Sequence, residues 1–169
     1  ANLENGAKKD GNEIKFKKSA LNISRQALSN ITLNSSSKIR SFEGATNLKE
    51  IKFQNKKAVS DKVIVAKNLS KLFLDNVNLE NVEILDKIDT QAVDNMESMF
   101  KNAKKFNSDI SKLKTGNVKN MSKMFSGAEK FNKDISNFDT RKVEKTKEMF
   151  ENAKKFNKDI SKFDLRNVV

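Results

Sequence analysis

Two residue types that carry much of enzyme chemistry are absent from this chain of 169 residues, which contains no histidine and no cysteine. Histidine is a frequent general base and zinc ligand, and cysteine supplies thiolate nucleophiles and disulfides. The five glycines form neither a G-x-G-x-x-G nor a G-x4-G-K-[ST] phosphate-binding loop. We therefore expect no enzyme, no catalytic residues, no metal site, no cofactor and no small-molecule substrate.

Tryptophan and tyrosine are also absent, so the 12 phenylalanines must supply the aromatic part of the core. No stretch approaches the roughly 18 consecutive apolar residues that a membrane-spanning helix needs. The lack of cysteine is compatible with an exported protein and with a cytosolic one.

The charge balance is strongly basic, with 34 lysines and arginines against 22 acidic residues and a net charge of +12. A basic surface attracts polyanions. Nucleic-acid binding is not favoured, because arginine is scarce and the phenylalanines lie at core spacing. The alternatives left open are a solvated lysine surface, which an A- and T-rich genome would produce, and binding of acidic glycans or lipids.

The most informative feature is a 25-residue unit that occurs three times without insertions, at 93–117, 118–142 and 143–167. Ten positions are identical in all three copies, in the frame V-x5-M-F-x2-A-x-K-F-N-x-D-I-S. A fixed period of this length is typical of a solenoid, in which each unit buries its apolar side against its neighbours.

Within each repeat the spacing of apolar residues predicts a helix followed by a strand. In the first copy the apolar residues are three or four apart, which predicts a short helix over 94–103 that must be buried to be stable. The segment 107–113 then predicts a short strand. Stacking would place Ile110, Ile135 and Ile160 side by side in a parallel sheet, with Phe100, Phe125 and Phe150 stacked behind them. The apolar positions of the first copy are Val93, Met96, Met99, Phe100, Ala103 and Phe106.

The pattern M-F-x2-A-x2-F-N-x-D-I-S-x-F-D-T-x2-V resembles the BspA-type leucine-rich repeats, and it is most similar to the 25-residue version found in surface lipoproteins of mycoplasmas and other bacteria. The resemblance is strong over 93–168 and weaker over 27–92. It departs at Thr146, which replaces a methionine, and at Leu165, which replaces a threonine. The resemblance implies an α/β, leucine-rich-repeat-like solenoid with short parallel strands and short helices, about 25 residues per regular coil.

The chain divides into four parts of one continuous solenoid domain. Residues 1–13 predict a flexible leader, 14–26 an N-terminal cap, 27–92 irregular leucine-rich coils, and 93–169 the three regular repeats. Val168 opens what would be a fourth copy. Because the chain begins with alanine and ends at that point, we expect the natural protein to be longer.

Two strands are predicted in the irregular part, at Ile31–Leu33 and Ile51–Phe53. The division of 54–92 stays open, because Leu69–Leu74 and Leu79–Leu85 are too close to be successive full coils. Either one coil is cut short, or Val63–Leu74 forms the return face of a 31-residue repeat.

One row of polar residues recurs at the bend at the end of each predicted strand. Asn107, Asn132 and Asn157 hold the same position in the three copies. Stacked side by side, they predict a structural ladder in which asparagine side chains bond backbone groups left unpaired by the bend. The alternative is a set of exposed loop asparagines.

A second row flanks the conserved isoleucine of each copy and predicts a partner-binding stripe on the opposite, concave face. Divalent cations held between adjacent carboxylates are a second interpretation. The simplest interpretation is that these side chains satisfy local backbone groups. The stripe consists of Asp109, Ser111, Asp134, Ser136, Asp159 and Ser161.

A third row is basic and precedes the F-N-x-D-I-S segment of each copy, and it predicts either a solvated face or a site for acidic glycans or lipids. This basic line consists of Lys104, Lys105, Lys130, Lys154 and Lys155.

Together these features predict a non-catalytic, surface-exposed recognition or adhesion module that binds a protein or glycan partner. The alternative is a structural or assembly component of a larger surface complex, and polyanion or nucleic-acid binding is less favoured. The resemblance implies a cell-surface or extracellular location with membrane association only through a lipid anchor upstream of Ala1. The sequence leaves the oligomeric state open.

Overall fold

The computed structural model of the chain describes residues 7–10, 13–16, 30–33, 42–53, 64–82, 85 and 88–169. These residues form three small sheets: β1–β2 is antiparallel, whereas β3–β4–β6 and β5–β7 are parallel. No α-helix is formed in this part of the chain, and it therefore holds no helix of the length and apolarity needed to cross a bilayer. The strands are β1 Ala7–Asp10, β2 Glu13–Phe16, β3 Asn30–Leu33, β4 Glu50–Phe53, β5 Ile64–Val65, β6 Asn81–Val82 and β7 Ile88–Asp89.

The N-terminal hairpin begins earlier than the sequence suggests. β1 lies inside the segment predicted to be a flexible leader. It is an ordered strand because its backbone pairs with β2, with Ala7 facing Phe16 and Asp10 facing Glu13. β2 itself overlaps the start of the predicted cap, and the rest of that cap, 17–26, lies outside the described residues.

The predicted strands at 31–33 and 51–53 are confirmed as parts of β3 and β4, which pair in parallel with Ile31 opposite Ile51. The next rung pairs Ile51 with Val82, 31 residues along the chain. The same offset separates the stacked rings of Phe42 and Phe73. The described residues of 54–92 thus follow the second alternative, a 31-residue coil, with the turns from Leu69 and the strand β6 in one and the same coil.

The helix predicted over 94–103 is wrong: this segment forms two consecutive β-turns. The N–H of Met99 donates to the carbonyl of Met96, and the N–H of Ala103 donates to the carbonyl of Phe100. The third residue of each turn, Ser98 and Asn102, has a positive φ of 55° and 60°, as in type II turns. The same tandem turns recur in the neighbouring coils, with positive φ at Lys71, Asp75, Lys123, Gly127, Glu148 and Asn152.

Hydrogen bonds between coils explain this choice of turns over a helix. A helix would direct each N–H to the carbonyl four residues earlier and would offer the adjacent coil no backbone partner. In the turns, alternate N–H groups point along the stack, so that Ser98 donates to the carbonyl of Ser122 and Phe100 to that of Met124, both at 2.9 Å. The ladder is repeated between the second and third repeats, where Lys123 donates to the carbonyl of Lys147.

The buried face follows from the turn geometry, because the first and fourth residues of each turn point into the core. All six apolar residues of the first repeat that the sequence marks for burial are fully buried. Phe100 and Phe125 stack at 5.5 Å between ring centroids, and Phe125 and Phe150 at 5.7 Å. Each fully buried side chain of this size stabilises the fold by roughly 1.5–3 kcal/mol, so successive coils are held in register by their rings.

The strand predicted over 107–113 is not formed, and Ile110 and Ile135 lie at a buried turn, with Ile160 39% exposed. Parallel bridges between repeats instead occur at the start of the tandem turns, joining Asn95 to Asn120 and Asn120 to Lys145. At the bend, side chains take the place of a backbone ladder. The leucine-rich-repeat solenoid with strands and helices stays a prediction for the chain as a whole.

Candidate functional site

All five lysines of the predicted basic line face a single surface groove of 540 Å³. The groove runs across four consecutive coils, and each coil contributes the same two positions. Its remaining lining residues are Val77, Asn78 and Glu129. The sequence did not point to these three, although Val77 and Asn78 lie 27 residues before Lys104 and Lys105, the same offset that joins Asn68 to Asn95 in the bridge.

The groove is built on stacked backbone. The N–H of Lys130 donates to the carbonyl of Lys104, and the N–H of Lys155 to the carbonyl of Glu129, both at 3.2 Å. On the N-terminal side of the groove, Nδ2 of Asn78 donates to the carbonyl of Thr46 at 2.7 Å. The five lysine side chains are exposed, and they project from a backbone that the stack holds in place.

One carboxylate interrupts the positive charge. Glu129 lies between Lys104 and Lys154 in its row, and its Oε2 is 3.1 Å from Lys154 Nζ. The hydrogen bond and charge of Lys154, with a smaller contribution from Lys104, hold the pKa of Glu129 below its usual value. Glu129 thus stays ionised at neutral pH, and five lysines against one glutamate leave the groove with four net positive charges.

The Asp/Ser stripe is engaged within its own coils. Oδ1 of Asp134 accepts the backbone N–H of Ser136 at 2.8 Å, and the other two copies make the same bond at the same distance. These backbone bonds are the main cause that lowers the pKa of each aspartate, and nearby lysines add to the effect. The geometry is that of an Asx-turn, in which the side chain closes a local bend.

The three aspartates of the stripe do not come together in one cluster within the described residues. Across the described residues no group of three or more acidic side chains is arranged to hold a metal ion. Each of Asp109, Asp134 and Asp159 is exposed, and lysines such as Lys162 lie close enough to Asp134 and Asp159 to influence their ionisation. The stripe therefore presents alternating charge and not a row of free carboxylates.

The asparagine row lies at the bend and connects the repeats. The N–H of Asn132 donates to Oδ1 of Asn107, and the N–H of Asn157 donates to Oδ1 of Asn132, both at 2.9 Å. A parallel row of threonines does the same on the other side of the coil: Oγ1 of Thr115 accepts the N–H of Asp139 at 2.8 Å. Both rows form hydrogen bonds that join one coil to the next. The lysine groove therefore remains as the candidate binding surface.

A second depression of 420 Å³ lies near the threonine row and has a mixed polar lining. Its lining includes the cations Lys114, Arg141 and Lys142 and one carboxylate, Asp139. Arg141 binds both oxygens of that carboxylate, at 2.9 and 2.7 Å. This pairing lowers the pKa of Asp139. It leaves the depression with two net positive charges, Lys114 and Lys142, and the Nζ of Lys142 donates to Oδ1 of Asn117. The lysine groove, with four, is the more strongly charged of the two.

The comparisons with known proteins give one match. The sequence model of a family described as "Mycoplasma protein of unknown function, DUF285" matches residues 67–169. No curated protein and no solved structure matches the chain. The matched range covers the coils that line the groove, from Val77 to Lys155.

Proposed function

The chain belongs to the DUF285 family of mycoplasma proteins, and from that premise we propose that it is a non-catalytic recognition module, displayed at the cell surface, that binds an acidic protein or glycan partner through the lysine groove. In this proposal the stacked coils form a leucine-rich-repeat-like solenoid of the BspA type. The observation that carries the proposal is the gathering of five lysines, from three successive repeats, around one 540 Å³ groove.

The physical case rests on repetition. Lys105, Lys130 and Lys155 occupy one position in successive coils, so their charges form a line along the stack. A concave surface with a large excess of charge of one sign focuses the electrostatic potential and raises both the association rate and the selectivity for ligands of opposite sign. The groove thus suits recognition of an acidic surface.

The test compares two variants with the same loss of charge. In the groove variant, Lys105, Lys130 and Lys155 are all changed to Gln. In the matched control, three exposed lysines outside the groove, Lys112, Lys147 and Lys162, are changed to Gln. Binding of the labelled chain to cultured animal epithelial cells is measured by flow cytometry.

We expect saturable binding that the groove variant weakens by about tenfold or more and that the control leaves within about twofold, because each lysine removed reduces the electrostatic attraction. Equal loss in both variants would mean that net charge, and not the groove, controls binding. Concentration-dependent self-association in sedimentation, without saturable cell binding, would instead favour the assembly component.

A further inference from the structure

The lining residues of the groove indicate which class of ligand it would bind, an inference that rests on the proposed function. We propose that its occupant is a linear sulfated glycan that lies along the stack axis. The first observation is directional: the groove crosses four coils, and the phenylalanine rings of neighbouring coils next to it, Phe106 with Phe131 and Phe131 with Phe156, are 5.9 Å apart. Its lysines are repeated at one-coil intervals, which matches a polymer with an anionic group on successive sugars.

The second observation is the kind of cation. Every cationic lining residue is lysine, and none is arginine. Lysine offers a mobile point charge, whereas the planar arginine fork binds carboxylate and phosphate groups in a fixed bidentate geometry. A row of lysines therefore fits anionic groups that are spread along a flexible polymer and differ in orientation.

The third observation argues against nucleic acid. Recognition of single strands combines a basic groove with aromatic rings on which the bases stack. The groove has no aromatic lining residue, since the nearby Phe106 and Phe131 are fully buried in the core. Its uncharged lining residues are Val77 and Asn78, an apolar side chain and an amide, which suit the C–H face and hydroxyl groups of a sugar ring.

The fourth observation argues against a lipid surface. Peripheral membrane binding by basic residues is strengthened by exposed apolar side chains that insert between lipids. Among the described residues the exposed large apolar side chains are Ile160, Leu165 and Val169, and none of them lines the groove. The lysines also face a concave groove, which a flat bilayer contacts poorly.

Glu129 provides an internal test of this assignment, because it places a negative charge in the path of the polymer. Changing Glu129 to Gln removes its salt bridge with Lys154 and adds one net positive charge to the groove. We expect the variant to bind a heparin oligosaccharide about twofold to fivefold more tightly at low salt, and the gain to shrink as salt is raised.

The experiment measures Kd for the full chain with a heparin octasaccharide, the same saccharide after desulfation, single-stranded DNA of equal charge, and phosphatidylserine vesicles. We expect heparin to bind about tenfold more tightly than the other three, and the salt dependence to become shallower in the groove variant. DNA or vesicles that bind as tightly as heparin, or heparin binding that the groove variant leaves unchanged, would overturn the inference.

Enzymatic removal of sulfated glycans from the epithelial cells separates the two proposals. We expect it to abolish the groove-dependent cell binding. If that binding depends on the groove but survives the removal of glycans, the recognition module stands and the glycan ligand is wrong. If binding never depended on the groove, both proposals fail.

Discussion

The backbone N–H of Asn132 donates a hydrogen bond to Oδ1 of Asn107, its counterpart one repeat earlier, at 2.9 Å. The Asn132 side chain in turn accepts the N–H of Asn157. At this bend the coils lack a backbone ladder, and each asparagine supplies the acceptor that the next coil would otherwise lack. The bond therefore ties the sequence period directly to the stacking of the coils.

This relationship predicts a position-dependent effect of removing the amide. Changing Asn132 to Ala should lower the free energy of unfolding by about 1 kcal/mol, because the N–H of Asn157 loses its partner. The measurement is urea unfolding followed by circular dichroism. Asn157→Ala is the matched control: no hydrogen bond to its side chain occurs within the described residues, so its loss should be smaller. Equal losses would contradict a role in stacking.

The buried threonine row predicts a larger cost. Oγ1 of Thr115 accepts the N–H of Asp139, and the Thr115 side chain is only 3% exposed. Changing Thr115 to Val keeps the shape but leaves that N–H unpaired, which should cost about 1–3 kcal/mol. The natural Leu165 occupies the equivalent position in the third repeat and is 51% exposed.

The same urea titration tests this contrast. Leu165→Thr should change stability by less than about 0.5 kcal/mol, as is usual for an exposed site. A neutral Thr115→Val variant would show that the N–H of Asp139 finds another partner.

The tandem turns predict that one glycine, Gly127, cannot be replaced by alanine without loss of stability. Gly127 has φ +71°, and a Cβ added there would lie 2.3 Å from Oδ1 of Asn102. Changing Gly127 to Ala should therefore cost about 1–2 kcal/mol for the left-handed backbone, and more from the contact. Measured in an Asn102→Gly background, which tolerates the positive φ at that position, the change Gly127→Ala should cost only the first part.

Gly116 is the control for this experiment, since a Cβ there meets only Asp139 Oδ2 at 3.4 Å. Its change to Ala should alter the thermal midpoint much less than the change at Gly127. If both glycines tolerated alanine equally, the turn geometry at Gly127 would be wrong.

The aspartate stripe predicts how stability depends on acid. The N–H groups of the following serines lower the pKa of Asp109, Asp134 and Asp159 in the folded chain. A pKa lowered on folding contributes stability above the unfolded value of about 3.9, and this stability is lost as the pH falls through the folded pKa. We therefore expect the urea concentration at the midpoint of unfolding to decrease when the pH is lowered below about 4.

Asp134→Asn checks the assignment, because asparagine keeps an oxygen acceptor for the N–H of Ser136 but does not titrate. Between about pH 5 and about pH 3, the range around the ordinary aspartate pKa, the variant should lose less stability than the natural chain does. An unchanged acid dependence would mean that other carboxylates control it.

Most residues of the lysine groove could be predicted from the sequence, but the shape of the groove could not. The five lysines of the groove repeat at a fixed place in the 25-residue unit, so the sequence identified them together. Glu129 was missed because it replaces a lysine in the same row, and Val77 and Asn78 were missed because their coil is two residues longer. Only the stacking of coils joins all eight positions into one groove.

The sequence also contains a signal for the tandem turns, in the residue type at the third position of the second turn. The third position of the second turn is Gly44, Asp75, Asn102, Gly127 and Asn152 in successive coils, each with positive φ. Glycine, asparagine and aspartate are the residues that tolerate this conformation best. Their recurrence every coil favours type II turns over a helix.

By itself, the sequence determined the 25-residue period and the set of residues that must be buried together, because apolar side chains recur at fixed positions. The tertiary structure decided which backbone conformation places these side chains in the core. Apolar residues at i, i+3, i+4 and i+7 line one face of a helix and also the inner corners of two consecutive turns. The turns are formed because the next coil supplies carbonyl acceptors, 24 residues away in the case of Ser98 and Ser122, and no local pattern contains that partner.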